Sequence, residues 1–395
     1  MANEEFWIWL QNTLGVKARV DDILAYFKTP KNLYEAGETE WRLSGVLTSN
    51  QIQRLADSSL DGAFEIMEQC LKYRIKIITP HHDDFPKGLK DLNDMPTVLY
   101  TWGDLSRIRD TVCISVVGTR KATQGSLEVT KNLSASLANA GATVVSGGAL
   151  GIDTAAHTGA LYAQGKTVAV LGCGLLSPYL LENRPLRQRI ARTGAVVSEF
   201  PPTKGADRTT FPIRNRIISG MSVGTVVIEA GERSGSLITA SLAISQGRDV
   251  FAVPGDMVSS CYNGANKLIQ DGARPIFCAK DVLEEYSYIY PDILDLSKAQ
   301  VPIFSSQQKR QTNAQNQGLK SQAMAQQKPV AKKALVDSLS KTACSIYAQF
   351  GDEPLHINDI AQQTNIEINA ILSALTELEI LGYISLVQGR KYIIK

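Results

Sequence analysis

The chain has 395 residues, enough for two or three domains, with 44% hydrophobic and 20% charged residues and a formal net charge of +2. That balance excludes a histone-like polycation, while leaving room for a local basic groove that a whole-chain sum would hide. Six dispersed cysteines with no C-x-x-C pair speak against a disulfide framework or a cysteine zinc site. The acidic start with its short apolar stretch, and the lack of an apolar run long enough to span a bilayer, predict a cytoplasmic protein without membrane contact.

Residues 1–72 read as short helices, at 6–14, 20–27, 33–36 and from 49 onward, broken by Gly15, Pro30 and Gly37. The segment 43–48, LSGVLT, is loosely of the helix-hairpin-helix type (SAM-like in outline), and a packing or protein-contact role is the simpler reading of this domain. Over 73–290 apolar β-rich runs recur at 112–117, 143–145, 167–171, 195–197, 225–228 and 249–253. Helix-length segments lie between most of them, at 126–140, 153–164, 185–193 and 236–246. The runs alternate little between polar and apolar, as expected of strands covered on both faces. The predicted fold is therefore α/β, an extended Rossmann-like doubly wound parallel sheet. Gly141, Gly165, Gly194 and Gly247 stand where left-handed helix caps are expected.

From 296 the pattern collapses. Residues 300–327 hold nine glutamines, and 296–336 holds seven Lys/Arg and no Asp or Glu, so 296–334 reads as a flexible basic linker. Residues 335–395 then give three helices and a two-stranded hairpin, the winged-helix order. The presumed recognition helix carries Glu377 and Glu379 and almost no Lys or Arg, which favours protein contact over duplex readout.

Ligands of open α/β sheets sit beyond the carboxyl ends of the strands, so the loops there carry the functional argument. The run at 112–117 leads into Gly118-Thr119-Arg120-Lys121, and that at 143–145 into Ser146-Gly147-Gly148-Ala149-Leu150-Gly151. Glycines alone would only permit tight turns. Two neighbouring glycine loops before helices, with Arg120 and Lys121 beside them, suit phosphate oxygens. Arg214, Asn215 and Arg216 stand at a predicted helix start, where the helix dipole prefers acids, a local conflict expected at a functional site. A fourth loop, Ser234-Gly235-Ser236, leads to Thr239, with helix capping as the plain role for Ser236. Several such loops suit a chain of phosphates better than one nucleotide.

Three other patterns fail on context. Gly220-Met221-Ser222-Val223-Gly224 matches G-x-S-x-G, but a helix precedes it and a strand follows, the reverse of a nucleophile elbow. Gly172-Cys173-Gly174 lacks the third glycine of a dinucleotide site. His81-His82-Asp83-Asp84 lacks further metal ligands and reads as a solvated turn, while His157 pairs on paper with Asp153 at i,i+4 as a structural hydrogen bond. No metal or cofactor is predicted.

Taken in order, Gly118-Thr119-Arg120, the 146–157 stretch SGGALGIDTAAH, 211–218 FPIRNRII, 234–240 SGSLITA, Val253-Pro254-Gly255 and 263–273 NGANKLIQDGA resemble the signatures of the DNA-processing protein A (DprA/Smf) family. The resemblance implies a non-enzymatic homodimer that binds single-stranded DNA and loads a RecA-type recombinase in natural transformation. It places DNA contacts on Gly118, Thr119, Arg120, Lys121, Ser146, Gly147, Gly148, Tyr179, Asn183, Arg214, Asn215, Arg216, Ser234, Gly235, Ser236 and Thr239. The family usually shows Gly-x-Asp and then Tyr-Pro-x-x-Asn after the third strand. Here Leu176 replaces the acid and Leu180 the proline, while Tyr179 and Asn183 keep their places, which implies a reshaped base pocket. Two rival readings are a nucleoside-monophosphate phosphoribohydrolase, whose Pro-Gly-Gly-x-Gly-Thr loop is replaced here by AGERSGS at 230–236, and a recombinase-recruiting scaffold with DNA secondary.

Overall fold

The computed structural model describes residues 3–299, 340–350, 355–364, 366, 368–380, 383–387 and 391–394. Five helices open the chain: α1 Glu4–Leu14, α2 Asp21–Phe27, α3 Pro30–Ser44, α4 Ser49–Ala56 and α5 Asp61–Lys72. Gly37, at φ 76°, kinks α3, and α4 starts on a reciprocal capping box between Thr48 and Gln51. The middle turn of α1 is buried on all sides and supplies Trp7, Ile8, Trp9 and Leu10. These share one apolar cluster with Val98, Tyr100, Leu171 and Val196 of the sheet. Removing the fully buried Trp9 side chain would cost about 3–5 kcal/mol.

A nine-stranded sheet follows, in the order β1-β2-β6-β5-β4-β3-β7-β8-β9. Its parallel part consists of β3 Cys113–Val117, β4 Thr143–Ser146, β5 Thr167–Leu171, β6 Ala195–Ser198, β7 Gly224–Val227, β8 Asp249–Ala252 and β9 Arg274–Pro275. Every residue of β3 to β7 is buried, which is why these strands read as mostly apolar runs without polar alternation. The short β1 Lys76–Ile78 and β2 Leu99–Gly103 extend it antiparallel beside β6. A short helix, α6 Lys87–Lys90, lies between those two strands. The crossovers contain α7 Gln124–Asn139, α8 Ile152–Tyr162, α9 Arg184–Thr193, α10 Thr210–Gly220, α11 Gly235–Ser245 and α12 Asn263–Gln270, and α13 Ala279–Ser287 follows β9. The sheet is thus mostly parallel, with an antiparallel edge that the parallel prediction did not contain.

Two of the four expected glycine caps are left-handed, Gly141 at φ 97° and Gly247 at φ 67°. The other two are glycines for lack of space. A Cβ on Gly165 would stand 2.5 Å from that of Ala138, and one on Gly194 2.1 Å from the Thr167 carbonyl. At the first of these, Gln164 takes the left-handed turn instead, at φ 54°. Residues Leu296–Ala299, expected to start the linker, form a 3-10 turn whose Ala299 is buried in the sheet's core. The rest of the predicted linker lies outside the described residues.

The second compact unit contains α14 Lys341–Tyr347, β10 Leu355–His356, α15 Ile357–Thr364, α16 Ile368–Ile380, β11 Ile384–Val387 and β12 Lys391–Ile394. The three strands pair antiparallel in the order β10-β12-β11. Its core contains Ile346, Phe350, Ile360, Ile371, Leu375 and Leu378. Glu377 of α16 takes the hydroxyl and backbone N–H of Ser340 at 2.6 and 2.8 Å, so this acid tethers the start of α14. Among the described residues no helix is long and apolar enough to cross a membrane.

Candidate nucleic-acid interface

Crossovers run from β3 out to β6 on one side of the sheet and from β7 out to β9 on the other. The order therefore reverses between β3 and β7, where an open α/β sheet leaves a crevice. A cavity of about 400 Å³ lies there, lined by the loop after β3, by Ala149 and Asp153, by the first turns of α10 and by the start of α11. Three helices, α8, α10 and α11, contribute first-turn residues to its wall.

Close backbone approach assembles the loops. Thr119 N–H donates to the Glu229 carbonyl at 2.8 Å, and Ile152 N–H to the Thr119 carbonyl at 3.2 Å. Gly151 sits at φ 78°, and a Cβ there would meet the carbonyl oxygens of Thr119 and Arg120 at 2.5 and 2.6 Å. Glycine is required at that crossing.

Arg214 is the buried anchor. Its Nη1 donates to the Gly147 carbonyl at 2.6 Å and to the Val170 carbonyl, and its Nε to Asn215 Oδ1 at 3.1 Å. No hydrogen bond to the described residues uses Nη2, which leaves that nitrogen for a ligand. Burial pulls the guanidinium below its ordinary pKa, against the opposing pull of Asp153, while Arg120 lowers it further. Asp153 is raised by burial against the attraction of Arg214, and its Oδ2 accepts the Ala149 N–H at 3.2 Å. Arg120 is exposed, and its guanidinium carbon stands 4.7 Å from the centre of the Phe211 ring. Behind Phe211 lies Tyr179, with ring centres 5.3 Å apart. A cation thus stacks on a half-buried ring at the cavity's edge, and a second ring packs against that one.

Nine of the predicted site residues line the cavity: Gly118, Thr119, Arg120, Arg214, Asn215, Ser234, Gly235, Ser236 and Thr239. The others are placed elsewhere. Ser146 is fully buried and donates to the Val116 carbonyl at 2.7 Å, joining two strands. Gly147 serves through its carbonyl, and a Cβ there would strike Arg214 Nη1 at 2.5 Å. Gly148, at φ 67°, offers its carbonyl to Asn183, whose Nδ2 also reaches Thr154 Oγ1 at 2.9 Å. Asn183 is therefore a strut between two loops. Tyr179 reaches the site only through Phe211, and Lys121 points into solvent outside the lining.

Arg216 corrects the sequence reading most clearly. Two helical positions from Arg214 is a rotation of about 200°, so it faces the other way. It is 2% exposed and clamps Glu199 through Nη2 at 2.6 and 2.7 Å. The cap of α11 is Ser234, whose hydroxyl meets that of Ser236 at 2.8 Å, so Ser236 is not the capping residue. His157 pairs with Thr167 at 2.8 Å instead of Asp153, which the loop amide has taken. His82 closes its turn on Thr79, and no group of three potential metal ligands occurs among the described residues.

The sequence reading passed over Phe211, Pro212, Asp153, Ile218 and Ile238, which all line the cavity. A legible signal existed for Phe211, an aromatic at the start of an arginine-bearing helix.

Residues 76–287 match the family profile described as DNA recombination-mediator protein A, and 330–390 that described as DprA winged helix domain. The chain belongs to this family. It is 41% identical to the DNA processing protein DprA of Bacillus subtilis over 201 residues, 51% of this chain and 68% of that protein. It is 33% identical to protein Smf of Synechocystis over 332 residues, 83% of this chain and 82% of the relative. The X-ray structure of DprA from Streptococcus pneumoniae is similar at TM-score 0.63 and 31% identity, covering 71% of this chain and 97% of that one.

At 174–183, where the sequence departs from the pattern the resemblance implies, the backbone taken here does not admit a proline. Leu180 has φ 52°, a value that the pyrrolidine ring forbids. Leu176 packs against the apolar cluster under the N-terminal helices, where a carboxylate would be costly.

Proposed function

We propose that this member of the DNA-processing family binds single-stranded DNA by its backbone at the β3–β7 crevice, without cleaving it. The observation that supports this is the convergence on one open cavity of the first turns of three helices, Arg120 and Arg214, and the Phe211 ring. Positive charges suit phosphates of any sequence, and a half-buried ring at the cavity's edge suits stacking with unpaired bases. A duplex presents no free base face to that ring. Of the cavity's hydroxyls, Ser234 and Ser236 are engaged with each other, Asp153 accepts the loop amide and His157 meets Thr167, so none of these four is paired with another as nucleophile and general base. Action as a homodimer, and handover of the strand to a RecA-type recombinase, rest on the family resemblance and form part of the same proposal.

The test is fluorescence anisotropy with labelled oligothymidine at two salt concentrations, beside a duplex of equal length. Tight, salt-sensitive binding that favours the single strand is expected. Absence of binding at low salt would overturn the proposal, and hydrolysis of nucleoside monophosphates would then be the activity to screen.

A further inference from the structure

Arg216 points away from the DNA cradle into a second cavity of about 520 Å³, between the loop after α1 and the far side of α10 and α11. That volume lies within the roughly 300–1,000 Å³ of small-molecule sites. Lys17, Arg19, Arg216 and Arg248 line it, against the two carboxylates Asp91 and Asp94. Glu199 is hydrogen-bonded to Arg216 Nη2, and Asp94 stands 3.3 Å from Nε, in ion-pair range though poorly aligned for a hydrogen bond. Nη1 of this 2%-exposed arginine has no hydrogen-bond partner, and neither have Arg248 Nε and Gln246 Oε1 in the same wall. Buried polar groups are nearly always satisfied, and each one left unmade is costly. The wall thus holds three guanidinium nitrogens, Arg216 Nε and Nη1 and Arg248 Nε, and one acceptor without hydrogen-bond partners, all just beneath the cavity surface. Its buried positive charge is under-compensated and, with Lys17 and Arg19 in front, suits a ligand that brings anionic oxygens.

We propose that this cavity is a second binding site, separate from the cradle, for a phosphate-bearing ligand of the nucleotide class. The arginines and Lys17 take the phosphate, while Asp91 and Asp94 accept from sugar hydroxyls or base amino groups. Lys17 and Arg19 come from the N-terminal helical layer and Arg216 and Arg248 from the sheet layer, so the ligand bridges the two. The phosphate can come from a free nucleotide or from a DNA strand running past the cradle.

The experiment uses the full chain, with dAMP as calorimetric probe and oligothymidine by anisotropy. It compares Arg19→Gln, Arg248→Gln and the cradle variant Arg120→Ala, and leaves the buried Arg216 in place so that folding is preserved. Binding of dAMP that each of the first two variants weakens about tenfold or more, and that Arg120→Ala leaves unchanged, is expected for a free nucleotide. If dAMP fails to bind, but Arg19→Gln and Arg248→Gln each cut the oligothymidine salt slope by about 0.7, the site stands and its phosphate is the strand's. The proposal is overturned if neither probe responds to the two variants, or if dAMP binding is lost only in Arg120→Ala. A failed cradle would show instead as absent oligothymidine binding in the unmodified protein, so the two readings fail separately.

Discussion

Arg120 and Arg214 line the same cavity but are built differently, and their removal should separate charge from architecture. Arg120 is exposed and touches the protein through the Phe211 ring, so Arg120→Ala leaves no buried group unpaired. Its loss should remove one phosphate contact and lower the single-strand salt slope by about 0.7, which compresses the affinity ratio between 50 and 200 mM salt by roughly 2.6-fold. The melting temperature should stay within about a degree, as for an exposed substitution worth less than ~0.5 kcal/mol. Arg214→Ala strips donors from the carbonyls of Gly147 and Val170 and from Asn215 Oδ1, and deprives the buried Asp153 of the positive charge that most favours its carboxylate. At about 1–3 kcal/mol for each buried group left unsatisfied, the variant should lose at least ~2 kcal/mol, a drop of several degrees, along with DNA affinity. Anisotropy across a salt series and thermal melts of the same preparations measure both quantities. An unchanged salt slope in Arg120→Ala, or a melting temperature that falls as far as in Arg214→Ala, would refute the division of labour.

Gly147→Ala should act like a weaker Arg214 variant, since its Cβ at 2.5 Å from Arg214 Nη1 and 2.6 Å from Asp153 Oδ2 must displace one of them; melts and anisotropy should fall together. Phe211→Ala should weaken oligothymidine binding by about 1–3 kcal/mol while leaving the salt slope unchanged, because stacking releases no counterion; a changed slope would contradict the stacking role. Burial holds the His157 imidazole down to about 3, with the positive charge of Arg214 adding to the effect. The unfolded chain therefore takes up this proton below about pH 6.5 while the folded one does not. Stability from this group is complete above that pH and falls by up to ~1.4 kcal/mol per pH unit on acidification toward pH 3. The raised carboxyls of Asp153 and Glu199 act in the opposite direction, so the readout is the difference between wild type and His157→Gln in melts from pH 7.5 to 4.5. The wild type should lose more, and parallel curves would show that the imidazole is not the sensor.

The sequence alone determined the strand and helix rhythm of the sheet. Strands buried on both faces must be mostly apolar, and helices between them must break at turn residues, so both leave local marks. It also marked the loops after β3, β4 and β7, because close approach to another backbone demands glycine wherever it occurs. The antiparallel strands Lys76–Ile78 and Leu99–Gly103 left no such mark: they are short, and the second joins the sheet through β6, about a hundred residues away, while the first pairs with the second. Only the tertiary structure decided what each polar side chain in those loops does. Ser146 and Asn183 look like ligand-binding residues in the sequence, yet they bond to Val116, Gly148 and Thr154, at separations of about thirty residues that no local pattern encodes. Arg214 and Arg216 share one motif, and helical geometry turns them to opposite faces. The environment waiting on each side, open crevice or buried carboxylate, came from distant segments of the chain.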